Sequence, residues 1–184
     1  MAIITLGGDL GAGKTTVAKQ IAETLGYEEL YIGGILREMA AEKGLSIEDF
    51  FRELKNDPDL ERSVDERQAK LMREKDNLVI QGRVAWYFAR QSPFQTINFF
   101  LAVEPWIGAE RQGERNENAG KSAEEIKILS DGRQKEERER YRMLYEIEDH
   151  LDRHHYDFTI NTSRLTKEEV FACIMALIRL KLPS

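Results

Sequence analysis

Gly8-Asp9-Leu10-Gly11-Ala12-Gly13-Lys14-Thr15 follows the apolar run Ile3-Ile4-Thr5-Leu6 and leads into Val17, Ala18, Ile21, Ala22 and Leu25. The eight residues fit G-x-x-x-x-G-K-[ST] in full. The run before them is short, apolar and β-prone, as a buried strand is. The residues after them repeat at helical spacing, and Gly26 supplies the stop. A strand, a glycine-rich turn and a helix in that order form a cradle for phosphate. Glycines let the backbone wrap an anion with its N–H groups inward, and the helix N-terminus adds its positive dipole end. Lys14 is expected on the β- and γ-phosphates of a nucleoside triphosphate, and the Thr15 hydroxyl on Mg²⁺.

Outward from this loop the pattern alternates. Glu29 to Ile32 reads as a second strand, Leu78-Val79-Ile80 as a third, Ile97 to Val103 as a fourth and Phe158-Thr159-Ile160 as a fifth. Helices are expected from Ile35, Leu36 and Met39; after Ser46 with Asp49; from Asp57-Pro58 to about Glu74; from Pro105; from Ser122 with Glu125 to about Glu146; and after Thr166 with Glu169. The Ser/Thr-x-x-acid pairs are capping signals, and Pro105 suits a first helical turn. Such alternation implies an α/β fold, a five-stranded parallel sheet flanked by helices, with ligands at the carboxyl ends of the strands.

The 184 residues suit one domain, 41% hydrophobic and 33% charged. No apolar run approaches a membrane span, and no signal peptide is read. The net charge of −6 and the lack of a basic stripe argue against nucleic-acid binding. Cys173 lies in an apolar helical pattern and is expected to be a buried, inert thiol in a reducing cytoplasm. His150 and His154 form an i,i+4 pair, expected at the surface or partly packed rather than on a metal. Trp86 and Trp106 are expected to be packing residues.

Two arginines stand just beyond strands: Arg37 in Gly33-Gly34-Ile35-Leu36-Arg37 and Arg83 in Gln81-Gly82-Arg83. Each could grip a second phosphate in a bidentate fork. The long charged helix carries Arg133, Arg138 and Arg140 beside Glu136 and Glu137. That pattern suits either a solvated helix with i,i+4 ion pairs or a mobile lid that neutralises a transferring phosphoryl group.

At these residues the whole chain resembles the short cytidylate kinases of the nucleoside monophosphate kinase superfamily. The matching segments are Gly8 to Thr16, Gly33 to Glu38, Ser63 to Gln68, Gln81 to Trp86, Arg133 to Tyr141, and Tyr156-Asp157 through Asn161-Thr162-Ser163. The resemblance implies a P-loop NTPase fold with a core at 1–32, 76–120 and 155–184, monophosphate-binding helices at 33–75 and a lid at 121–150. It implies ATP with Mg²⁺ as donor and a nucleoside monophosphate, CMP or dCMP, as acceptor, in a cytoplasmic monomer that engages neither nucleic acid nor membrane.

By the same resemblance, ATP contacts fall on Gly8, Asp9, Gly11, Ala12, Gly13, Lys14, Thr15, Thr16, Arg111, Arg115 and Ser163. Acceptor contacts fall on Arg37, Asp65, Arg67, Gln68, Arg83, Arg133, Glu137 and Arg140. Lys14, Arg133, Arg138 and Arg140 carry the catalytic role, and Thr15 the metal. Three positions depart from the family pattern. Gly34 and Gln81 stand where relatives carry acids, and Asp9 stands where a small residue or proline is usual. Asp9 is therefore a candidate to replace the lost acid near Mg²⁺. Adenylate kinase, another small-acceptor kinase, or a low-turnover ATP-dependent switch are the alternative readings. The loop string alone also resembles a P-loop ATPase that assists a tRNA-modifying complex.

Overall fold

The computed structural model describes residues 2–114 and 118–182, without the side chains of residues 31, 33, 34, 47, 48, 51 and 55. Five parallel strands stand in the order β2-β3-β1-β4-β5: β1 (Ala2–Gly8), β2 (Glu28–Tyr31), β3 (Leu78–Gln81), β4 (Gln95–Ala102) and β5 (Phe158–Asn161). The central strand β1 is buried along its whole length, with Ile4 paired to Val79 on one side and to Ile97 on the other. All five expected strands are present, with ends shifted by at most two residues.

Side chains alternate across the sheet, so each strand feeds two cores. Ile4, Leu6, Val79, Ile97, Phe99 and Leu101 pack on one face against α1 (Lys14–Leu25) and α8 (Lys167–Lys181). Ile3, Leu78, Ile80 and Phe100 pack on the other, under α2 (Ile32–Glu42), α3 (Ile47–Asn56), α4 (Pro58–Glu74) and α5 (Ala85–Ala89). The remaining helices are α6 (Pro105–Gly113) and the long α7 (Ala123–Tyr145). A 3₁₀ turn at Arg153–His155 precedes β5.

The caps explain where the helices begin. Ser122 and Thr166 each close a full capping box with Glu125 and Glu169. Ser46 accepts from the Asp49 N–H, and the Asp57 side chain caps α4. Gly26 ends α1 in the left-handed region at φ 67°.

Four expectations are corrected. Cys173 is exposed, because Val170, Ile174 and Ile178 form the buried stripe of α8 and Cys173 lies off it. His150 is completely buried, and it shares no helix with the exposed His154, because α7 ends at Tyr145. Trp106 is 53% exposed on the first turn of α6, whereas Trp86 is packed as expected. The Asp9 side chain turns to the end of β4 rather than to the Thr15–Gln81 pair, as described below.

Candidate active site

The loop joins β1 to α1 and is shaped by close backbone approach. Gly8 has φ 115°, and a Cβ there would lie 2.2 Å from the Leu101 carbonyl oxygen. Only glycine fits both the dihedral and the gap. Asp9 donates its backbone N–H to that same Leu101 oxygen at 2.9 Å. The Asp9 carboxylate accepts the Val103 N–H at 3.0 Å. It thus staples the loop to the end of β4 rather than to the Thr15–Gln81 pair.

Lys14 folds back over the loop. Its Nζ donates to the Gly8 carbonyl at 3.0 Å and also to the Asp9 carbonyl. Arg83, in the turn after β3, donates from Nη1 to the same Gly8 carbonyl at 3.0 Å. The two cations expected on two different phosphates therefore meet at one atom. Leu10, Gly11, Gly13, Lys14, Thr15, Gln81 and Arg83 line a small cavity of about 180 Å³ there. Thr15 and Thr16 are exposed on the first turn of α1.

Gln81 closes β3 beside the loop, and Thr15 Oγ1 donates to its Oε1 at 2.9 Å. This pair offers two hard oxygen atoms of the kind Mg²⁺ prefers. No group of three His, Cys, Asp or Glu side chains suited to a metal occurs among the described residues. The donor set fits an ion held mainly by nucleotide phosphates and water.

On the α1–α8 side, Ala12, Gly13, Val17, Arg111, Thr162, Leu165 and Val170 line a second cavity of about 370 Å³. Arg111 shapes it by donating to Thr162 Oγ1 at 3.2 Å, the Thr162 carbonyl at 2.9 Å and the Ser163 carbonyl at 3.4 Å. The Ser163 hydroxyl accepts the Glu104 N–H at 2.8 Å. Mostly apolar with hydrogen-bonding groups at its edge, this wall suits a purine ring. Arg115 lies outside the described residues.

The α7 side is organised by acids. Glu137 takes Arg133 Nε on Oε1 at 2.9 Å and Arg83 Nε on Oε2 at 3.0 Å. Burial pushes its carboxyl up, but His150, Arg83 and Arg133 outweigh burial and hold it at about 2. Arg140 Nε meets Glu61 of α4 at 2.8 Å, with its guanidinium over the Tyr141 ring. Arg138 instead pairs with Asp149 at 3.2 Å on the exposed side of α7. The structure thus gathers Arg83 and Arg133 on one acid and leaves Arg138 outside that group.

The α4 residues expected at the base divide by face. Asp65 and Gln68, three apart on α4, turn inward, while Arg67 turns out to Glu42 at 2.9 Å and Glu38 at 3.3 Å on α2. Tyr145 donates to Asp65. Burial raises the Asp65 carboxyl to about 6, against the pull of Tyr145 and Arg140. Gln68 is 3% exposed, and its Nε2 has no partner among the described residues. Arg37 is exposed on α2. Glu61, Tyr145 and His150 were not anticipated. For Glu61 the signal was present, since it stands four residues before Asp65 on the same face; for the other two no local pattern pointed to the site.

A parallel sheet in this order, a phosphate loop after its central strand and paired cationic groups beyond β3 define a P-loop kinase. The model of the cytidylate kinase-like family matches residues 3–164, and the chain belongs to that family. It is 38% identical over 176 residues to the cytidylate kinase of Pyrococcus horikoshii, covering 96% of this chain and 88% of that protein. It is 33% identical over 183 residues to that of Methanopyrus kandleri, covering 96% and 92%. Among solved structures, an uncharacterized protein from Eubacterium ventriosum aligns at a TM-score of 0.71 and 21% identity, covering 97% of this chain and 98% of that one. A shikimate kinase from Bacteroides thetaiotaomicron aligns at 0.66 and 21%, covering 98% and 99%. These two likenesses concern the fold.

Proposed function

We propose that the protein transfers the γ-phosphoryl group of ATP to CMP or dCMP. The observation that carries this is the meeting of Lys14 and Arg83 on the Gly8 carbonyl, at 3.0 Å each. An anion entering from the loop side draws Lys14 away, and one entering from the α4 side draws Arg83 away. A donor phosphate and an acceptor phosphate are thereby brought to adjacent positions. The family membership and the relatives named cytidylate kinase support the cytosine nucleotide as acceptor.

The donor is held by Gly8, Gly11, Ala12, Gly13, Lys14, Thr15 and Thr16, with Arg111 and Ser163 at the adenine. The acceptor phosphate is held by Arg37, Arg83 and Arg133, and its base by Asp65 and Gln68. Thr15 would hold Mg²⁺, which would supply charge neutralisation to the triphosphate. The acceptor's phosphate oxygen is already a nucleophile, so no general base is required. Lys14, Arg133 and Arg140 stabilise the charge that spreads over the transferring group, and alignment supplies the rest. Closure of residues 121–150 excludes water, so ATP is not lost to hydrolysis.

ADP release measured with AMP, CMP, dCMP, UMP and small alcohols tests this. CMP or dCMP is expected to give the highest kcat/KM. A clear preference for AMP would displace the base assignment, and the absence of turnover with every monophosphate would overturn the activity.

A further inference from the structure

His150 lies between α7 and the 3₁₀ turn, with no exposed surface at all. Neither ring nitrogen has a hydrogen-bond partner among the described residues. Buried polar atoms are nearly always paired, so two unpaired ones in one ring call for an explanation. The ring is nevertheless fixed in place. Tyr141 meets it edge-on at 5.2 Å, and the Tyr156 hydroxyl donates to the His150 carbonyl at 3.2 Å. This places Nε2 3.6 Å from Glu137 Oε2, close but longer than a hydrogen bond.

Glu137 carries an arginine on each oxygen, yet Oε2, the oxygen nearest His150, has an ion pair and no hydrogen bond among the described residues. The Glu137 side chain is 4% exposed, with Arg83 on one oxygen and Arg133 on the other. Both arginines belong to the acceptor-phosphate set proposed above, and this inference rests on that proposal. When they turn to a phosphate, a buried carboxylate loses its partners, which opposes their release. A donor held in reserve behind the carboxylate removes that opposition.

We propose that His150 is a positioning residue that takes over Glu137 as the acceptor phosphate draws Arg83 and Arg133 away. Its Nε2–H closes onto Glu137 Oε2, so the carboxylate stays satisfied while the arginines change partners. His150 touches neither substrate; it acts through Glu137.

Steady-state kinetics separate this from a packing role. His150→Phe is expected to raise the KM for CMP about tenfold and to leave the KM for ATP within about twofold. His150→Gln, which restores a side-chain N–H, is expected to recover most of the loss. In a Glu137→Gln background, His150→Phe should have no further effect. Equal changes in both KM values, or an undiminished effect in that background, would overturn the proposal. For the unaltered protein, the His150 Nε2 resonance is expected to shift on adding CMP but not cytidine, which lacks the phosphate. No shift in a protein that turns over CMP would overturn the inference and leave the kinase activity standing. No turnover with any monophosphate would instead remove the activity on which it rests.

Discussion

Thr15 Oγ1 donates to Gln81 Oε1 across 2.9 Å, joining the first turn of α1 to the end of β3. A neutral amide therefore stands beside the hydroxyl proposed to bind Mg²⁺. Gln81→Glu keeps the acceptor atom and adds a negative charge. It is expected to lower the Mg²⁺ concentration needed for half-maximal activity and to raise kcat up to about tenfold, a barrier change of about 1.4 kcal/mol. A magnesium titration of CMP-dependent ADP release checks this. An unchanged profile would show that the missing charge does not limit the reaction.

Gly8→Ala is expected to be severe. The new Cβ must occupy space 2.2 Å from the Leu101 carbonyl oxygen, at a φ of 115° that an L side chain rarely adopts. The neighbour is backbone of a central strand and cannot turn aside. ATP binding by calorimetry is expected to be lost, with a stability cost of about 1–3 kcal/mol in denaturant titration.

Arg111→Met removes three bonds to the Thr162–Ser163 turn while keeping the aliphatic stem. The turn forms one wall of the 370 Å³ cavity. The KM for ATP is expected to rise about tenfold, roughly 1.4 kcal/mol, and the KM for CMP to change by less than about twofold. An equal rise in both would place Arg111 in general folding rather than at the adenine.

Two acids, Glu137 buried and Asp65 half-buried, give opposite pH dependences. The Glu137 carboxyl is held at about 2, below its ordinary 4.5, so its stabilising contribution is present above 4.5 and lost as the pH falls towards 2. Glu137→Gln is expected to cost about 3 kcal/mol at neutral pH and to flatten stability between pH 4.5 and 2. Asp65 is raised to about 6 from 3.8, so its contribution is present below 3.8 and lost as the pH rises through 6. Asp65→Asn is expected to stabilise the fold by about 1–2 kcal/mol above pH 6, with no difference below pH 4. It should weaken CMP binding at the same time. Thermal unfolding scans from pH 3 to 8 check both slopes.

The Arg140–Glu61 pair at 2.8 Å and the Tyr145–Asp65 bond tie α7 to α4. Neither was visible in the sequence of α7, where Arg133, Glu137 and Arg140 were expected together as one acceptor-binding set. The division came from rotation about the helix axis. Arg133 and Glu137 face Arg83, Arg140 faces α4, and Arg138 faces Asp149.

What the sequence by itself determined was local. Glycine dihedrals, capping boxes and apolar periods of two and 3.6 depend on neighbours a few residues away. They identified β1, the phosphate loop, α1 and the alternation of the sheet. Placement across the chain was decided by the tertiary structure. Asp9 met Val103 rather than the Thr15–Gln81 pair; Gln81 met Thr15; and His150, expected at the surface or partly packed, was enclosed behind Glu137. These contacts join residues 13 to 94 positions apart. Only packing of the layers against one another brings such residues together, because no local preference for helix or strand depends on what lies across the sheet.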